Sequence, residues 1–299
     1  MKKVSLITVN YNHADITLQL LYSVKKFARY SNIEIIVVDN GSKTDKTEWL
    51  RRQYPDAKFI RSEENLGFAG GNNLGIKEAS GDYLLFVNND TEIFEDVITA
   101  LANVLDNDPT IGVVSPKIVY YDRPEIIQYA GFTAMNYNTG RNKCVGQFEI
   151  DKGQYDQHFG PTSYAHGAAM MVRVEAVEKA GPMPENYFLY YEEMDWCEKI
   201  RRAGYTIWVE TKTQIRHKES LSVGAASPLK EYFMTRNRIL FIRRNAPSIS
   251  VFIFCVYFLF VVTPRNLINY ILSRRLDLAS SFFKGIWWNL THKKDSFEL

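Results

Sequence analysis

Two acidic residues stand directly after apolar runs. Asp39 follows Ile35-Ile36-Val37-Val38, and Asp90 closes Asn88-Asn89-Asp90 after Leu84-Leu85-Phe86-Val87. In a doubly wound sheet, ligands bind beyond the carboxyl ends of the strands, where strand order reverses, so carboxylates at those ends are placed to meet a ligand. Either residue alone is equally at home as a turn former or helix cap. Glu192, Glu193 and Asp195 put three carboxylates into one helical turn, with Glu192 and Asp195 on one face. Such crowding raises carboxyl pKa values toward those useful for proton transfer, whereas a plain acid-rich helix N-terminus would serve only the helix dipole. His217 is a candidate ligand, although a lone histidine more often has a structural role.

These residues need elements to hold them. Apolar runs at 4–9, 33–38 and 58–61 alternate with helical patterns near 16–29 and 44–53, a βαβαβ rhythm. A helix near 71–79, a strand at 83–87, a helix around 94–105 and a strand at 112–120 continue it. Continuous apolar strands are expected when helices cover both sheet faces. Residues 123–164, rich in Gly, Asn and Tyr, read as irregular, with room for a β-hairpin or an acceptor-facing loop. Beyond them come a strand at 168–172, a helix at 174–180 stopped by Gly181, the acidic helix at 192–202, a strand at 205–209 and a short segment ending at His217. The glycines between Gly67 and Gly75 lack the G-x-G-x-x-G spacing of a nicotinamide site. They are read as allowing close backbone approach to a ligand, with Asn72 and Asn73 near a helix start whose free N–H groups favour phosphate.

Taken together, Val37-Val38-Asp39-Asn40-Gly41-Ser42, Asn65-Leu66-Gly67-Phe68-Ala69-Gly70-Gly71-Asn72-Asn73 and Asn88-Asn89-Asp90 resemble the family 2 glycosyltransferases. With Tyr190-Tyr191-Glu192-Glu193-Met194-Asp195-Trp196-Cys197, the chain is most similar to their rhamnosyltransferase-type branch. The resemblance covers roughly residues 4–244. It implies an α/β chain with the GT-A fold, a doubly wound mixed sheet flanked by helices, and inverting sugar transfer from a nucleoside-diphosphate sugar, dTDP-rhamnose or a UDP-sugar. Asp39 would recognise the nucleobase edge, with Asn40, Asn65, Gly67, Gly71, Asn72 and Asn89 around the donor. Asp90 and His217 would hold Mg2+ or Mn2+, with Asn88 standing where the family's D-x-D motif has its first carboxylate. The family's base position falls on Glu193, with Glu192 and Asp195 as alternates. A degenerate domain serving as a scaffold in polysaccharide assembly is the competing reading. A nucleotidyltransferase would show a basic glycine-rich loop after the first strand, which Val9 does not lead into.

Composition bounds the rest. The 299 residues, 46% hydrophobic and 14% aromatic, suffice for one large α/β domain and an appendage. Cys144, Cys197 and Cys255 form no C-x-x-C pair, which fits a reducing, cytoplasmic setting. The opening apolar run is too short for a signal peptide. From Arg236 onward ten Lys/Arg face Asp277, Asp295 and Glu298, a surplus of seven positive charges, so the overall +2 leaves the body at −5. The sequence therefore divides into a catalytic domain at 1–235 and a basic, aromatic-rich helical tail at 236–299. Basic residues flanking an apolar run point to lipid and not to nucleic acid. Pro247 and Pro264 are expected to limit that helix to about 15 residues, ~22 Å, short of the ~30 Å hydrocarbon core. An in-plane helix follows, assisted by Arg243, Arg244, Arg265, Arg274 and Arg275 and anchored by Trp287 and Trp288. This places the protein peripherally on the inner face of the plasma membrane, with a lipid-linked or glycan acceptor and homo-oligomers left open.

Overall fold

The computed structural model describes residues 1–218 and 227–298. Ten strands among them form one mixed sheet: β1 (Val4–Asn10), β2 (Ile33–Asn40), β3 (Lys58–Ser62), β4 (Tyr83–Val87), β5 (Thr91–Glu92), β6 (Ile111–Tyr120), β7 (Ile127–Tyr129), β8 (Gly160–Pro161), β9 (Ala169–Arg173) and β10 (Thr206–His217). Their order is β3-β2-β1-β4-β9-β6-β10-β5, with β7 on β6 and β8 on β10. β1 pairs in parallel with both β2 and β4, so the winding reverses between β1 and β4 and a crevice opens off Asn10, Asp39 and Asn88. β9 lies antiparallel between β4 and β6.

The strands are apolar on both faces because both are covered. Ile7, Ile36 and Phe86 join one core with Ala69 of α3 (Gly67–Glu78), Ala176 of α5 (Val174–Ala180) and Trp196 of α6 (Glu192–Arg202). Their neighbours Leu6, Val37 and Leu85 join the other, with Leu20 of α1 (Ala14–Phe27) and Leu101 of α4 (Val97–Asn107). This period-two division is what strand geometry dictates. α2 (Thr47–Gln53) is a short connector between β2 and β3.

Several expectations change. α3 starts at Gly67, so Asn72 and Asn73 lie in its second turn and not at its tip. Its glycines approach the sheet: a Cβ on Gly75 would sit 2.4 Å from Ile7 Cγ2, and one on Gly71 2.9 Å from Val9 Cγ1. The two segments after α6 are one strand, β10, whose register with β6 shifts between Glu210 and Gln214. Residues 123–164 carry β7 and β8 and fold back through bridges at Ile126–Ile150, Phe132–Cys144 and Asn136–Arg141.

The C-terminal region holds α7 (Pro228–Asn245), α8 (Ser248–Tyr257), a π-turn (Phe258–Val262), α9 (Thr263–Leu272) and α10 (Leu276–Thr291). Pro264 does not end the apolar helix. The π-turn absorbs its missing N–H, and Thr263 Oγ1 donates to Phe258 O at 3.0 Å. Helix therefore runs through 25 residues, Ser248–Leu272. At 1.5 Å per residue this is ~37 Å, long and apolar enough to cross a membrane by length and composition. Phe254, Phe258, Val262 and Tyr270 pack into the core, while Phe252, Leu259, Phe260 and Ile271 are exposed. Trp287 is exposed, but Trp288 is buried, its ring 3.9 Å from the Arg236 guanidinium. The expected boundary at residue 235 falls inside α7, whose Arg236 and Asn237 are fully buried.

Candidate active site

The crevice floor is a chain of polar contacts. Asp39, buried at the end of β2, accepts from Asn10 Nδ2 at 2.7 Å and Ser42 N at 3.0 Å, and pairs with Arg61 Nη1 at 2.6 Å. A carboxylate has about four acceptor sites, so one remains for a ligand N–H. Asn10 Oδ1 accepts from Thr17 Oγ1 at 3.0 Å, and that hydroxyl accepts from Asn89 Nδ2 at 3.0 Å. The β2 and β4 ends are thereby held in one arrangement. Asn40 donates to Asn65 Oδ1 and Gly67 O and accepts from Leu66 N, so its side chain ties β2 to the start of α3. Gly67 has φ +71°, and a Cβ there would lie 2.2 Å from Phe188 O. Asn72 donates to Phe68 O, while Asn73 holds Met183 and Glu185.

Asp90 and His217 meet because β5 pairs antiparallel with the end of β10, setting Thr91 opposite His217. His217 Nε2 lies 3.2 Å from Asp90 Oδ1, and its Nδ1 donates to Gln128 Oε1 at 2.8 Å. With Nδ1–H so used, Nε2 faces a carboxylate either as a protonated partner or with a bare lone pair that calls for a cation. The pair fits a divalent ion: Mg2+ is commonly held by one or two protein groups, with phosphate and water oxygens completing the shell, and imidazole suits Mn2+. No cluster of three or more such ligands exists among the described residues. Beside them, His166 stands edge-on to His217, ring centroids 6.0 Å apart. Its Nδ1 accepts from Ala168 N at 3.1 Å, which leaves the proton on Nε2. Burial first, then the neighbouring His217, hold its pKa down to about 3, so it is a neutral hydrogen-bond donor.

The acidic helix follows a strained loop. Phe188, Tyr190 and Tyr191 have φ of 64°, 67° and 74°, conformations that cost ~1–2 kcal/mol each in non-glycine residues and cluster at functional sites. Asn237 Nδ2 contacts Tyr187 O, Leu189 O and Tyr190 O at 2.7–3.0 Å, and Arg236 donates to Asn186 O and Tyr187 O. The three carboxylates then diverge. Asp195, fully buried, is bound by Arg244 Nε and Asn245 Nδ2, so it anchors α7 and is not open to substrate. Glu192 is buried with Oε2 unpartnered; burial, then repulsion from Glu193, pushes its carboxyl far above the usual range. Glu193 is partly exposed, and its Cδ lies 3.9 Å from where a Cβ on Gly167 would stand. Burial of its carboxyl raises it to about 7.

The structure thus gathers Asp39, Asn89, Asp90 and His217 at the strand ends and sets Glu193 against the His166-Gly167 turn. Asn40, Asn65, Gly67, Gly71 and Asn72 shape the loop and helix behind them. Asn10, Thr17, Arg61, Gln128 and His166 were missed, because each acts only through a partner 7 to 89 positions away. His166-Gly167-Ala168 directly before β9 was the available signal.

Residues 5–181, more than half of the chain, match the family described as glycosyl transferase family 2. The low-salt glycan biosynthesis hexosyltransferase Agl10 of Haloferax volcanii is 28% identical over 208 residues, covering 68% of this chain and 63% of that protein. An N-acetylglucosaminyl-diphospho-decaprenol L-rhamnosyltransferase of Mycobacterium tuberculosis is 22% identical over 207 residues, covering 62% and 67%. The chain spans less than two thirds of the length of the first of these. Among solved structures, the mannosyltransferase PcManGT from Pyrobaculum calidifontis, in complex with GDP-Man and Mn2+, matches with a TM-score of 0.59 at 16% identity, over 97% of this chain and 87% of that one. That likeness carries the fold. A GT-A sheet with its strand-end carboxylates, joined to this family match, shows that the chain belongs to glycosyl transferase family 2.

Proposed function

We propose that the protein is an inverting glycosyltransferase that moves a sugar from a nucleoside-diphosphate donor, dTDP-rhamnose or a UDP-sugar, to a lipid-linked acceptor in surface glycan synthesis. One observation carries this reading: of the four acids on α6, only Glu193 is partly exposed, and its carboxyl sits near 7, where a general base is most useful. Glu193 takes the proton of the acceptor hydroxyl as that oxygen attacks the anomeric carbon from the face opposite the leaving group. Asp39 accepts from the nucleobase N–H, and Arg61 holds that carboxylate in place. His166 offers a neutral Nε2–H beside the crevice. Asp90 and His217 would hold the divalent ion, which when bound neutralises charge on the donor diphosphate. The mycobacterial relative's lipid-diphosphate acceptor supports the acceptor class. The exposed apolar face of the long helix supports placement at the inner face of the plasma membrane.

The deciding measurement is nucleoside diphosphate release from UDP-, dTDP- and GDP-sugars by purified protein. Release from one donor class, restored after chelation by Mn2+ at least as well as by Mg2+, is expected. Full activity in excess chelator rejects the metal assignment, and no release from any donor would leave a binding module.

A further inference from the structure

A groove of about 270 Å3 lies where the 136–141 turn, α7, the long apolar helix and α10 meet, with Tyr191 in its wall. Part of the lining is apolar: Phe258, Val262 and Phe282. Leu259, Phe260 and Val261, which stand between Phe258 and Val262 in the same π-turn, are exposed. The other part is cationic. Arg238 donates from Nε to Gly140 O at 3.1 Å and from Nη2 to Thr139 O at 2.6 Å, which fixes the guanidinium. Arg141 lies close enough to add to the lowering of the Arg238 pKa that burial begins. Neither has a carboxylate partner among the described residues, although Glu231 is in the wall, where it accepts from the Thr235 hydroxyl. Asn142 Nδ2 is buried without a hydrogen-bond partner.

Two guanidiniums without counter-ions and a stranded amide N–H call for an anion with several oxygens. The apolar walls beside those groups call for a hydrocarbon attached to it. Tyr191 immediately precedes Glu192 and Glu193, so what binds here lies next to the proposed base. Just below the ~300–1,000 Å3 usual for small-molecule sites, the groove suits a head group and the first chain carbons, not a whole lipid. Resting on the transferase reading above, we infer that this groove binds the diphosphate and proximal chain of a polyisoprenyl-linked acceptor, with Arg141, Arg238 and Asn142 on the phosphates and Phe258, Val262 and Phe282 on the chain.

The test uses the full chain with farnesyl diphosphate as probe, measured by calorimetry beside farnesol and inorganic pyrophosphate. Arg141→Glu, an exposed position, should raise the farnesyl diphosphate Kd by about 10-fold or more, as loss of a charge-assisted contact does. Arg238→Gln should do the same, and farnesol and pyrophosphate should each bind at least about 10-fold more weakly than the joined molecule. A folded Arg141→Glu protein with unchanged Kd overturns the inference, and so does pyrophosphate binding as tightly as farnesyl diphosphate. Loss of binding confined to phosphatidylglycerol vesicles, with farnesyl diphosphate unaffected, makes the groove a bilayer headgroup site and overturns it too. Arg141-dependent binding of farnesyl diphosphate in a protein that releases no nucleoside diphosphate from any donor would support the groove and reject the transferase reading.

Discussion

Glu192, Glu193 and Asp195 share one helical turn but meet three environments, and each environment sets a different chemistry. Asp195 is paired with Arg244 and hydrogen-bonded by Asn245, Glu192 is walled in, and Glu193 is partly exposed beside Gly167. With the Glu193 carboxyl near 7, kcat/KM should rise with pH through a limb centred at about 7, because only the deprotonated form can accept a proton. Glu193→Gln should abolish that limb and lower kcat by about 10²-fold or more. A variant that keeps both the limb and the rate would place the base elsewhere. Glu192 affects stability. Its folded-state pKa is raised above the ordinary 4.5, so its contribution is fully present below pH 4.5 and is lost as pH rises through the folded value. Glu192→Gln removes that loss. Its Tm advantage over the wild type should therefore grow from pH 4.5 upward, and thermal melts across that range check it.

At the scale of elements, the loop at 186–191 and α7 act as one device. Three left-handed residues cannot hold themselves there, and Asn237 and Arg236 secure the loop carbonyls from behind. Burial lowers the Arg236 pKa to about 10, but it stays charged, spread over carbonyls and the Trp288 ring. Asn237→Ala should strand buried carbonyls at ~1–3 kcal/mol apiece and let the loop relax, lowering Tm and kcat together. A thermal melt and a turnover assay on that variant check it, and unchanged kcat would mean that the loop keeps its shape unaided. Helix patterns in the sequence marked α5 and α6 at their observed bounds, because apolar spacing and a following glycine are local signals. They could not mark the loop's support, which comes from residues about 50 positions later.

For the whole molecule, the basic tail is partly an internal scaffold. Arg243 holds a backbone carbonyl, Arg244 pairs with Asp195 and Asp295, and Arg236 is buried, which leaves fewer cations for lipid than the charge count implied. α10 clamps α7: a Cβ on Gly285 would lie 2.9 Å from Arg236 N, and Asn289 Nδ2 donates to Arg236 O at 2.9 Å. Ending the chain after Arg244 removes Asn245 and α10, so it should destabilise the loop at 186–191 as well as weaken membrane association. Phe260→Glu, at a side chain 71% exposed, should reduce vesicle flotation while leaving Tm near wild type. Unchanged flotation of that variant would show that this face is not the membrane contact.

By itself the sequence determined the α/β class, most strand and helix positions, and which carboxylates stand at strand ends. Those properties follow from period, from apolar runs and from turn residues, all of which act within a few positions. Tertiary structure alone decided which α6 acid is open, that Gln128 orients His217 and that His166 joins them. It also decided that Pro264 is absorbed by a π-turn, that α7 of the tail packs against the loop at 186–191 and that α10 packs against α7. Each of these depends on contacts between segments far apart in sequence, where burial and an available hydrogen-bond partner, not residue type, select the outcome.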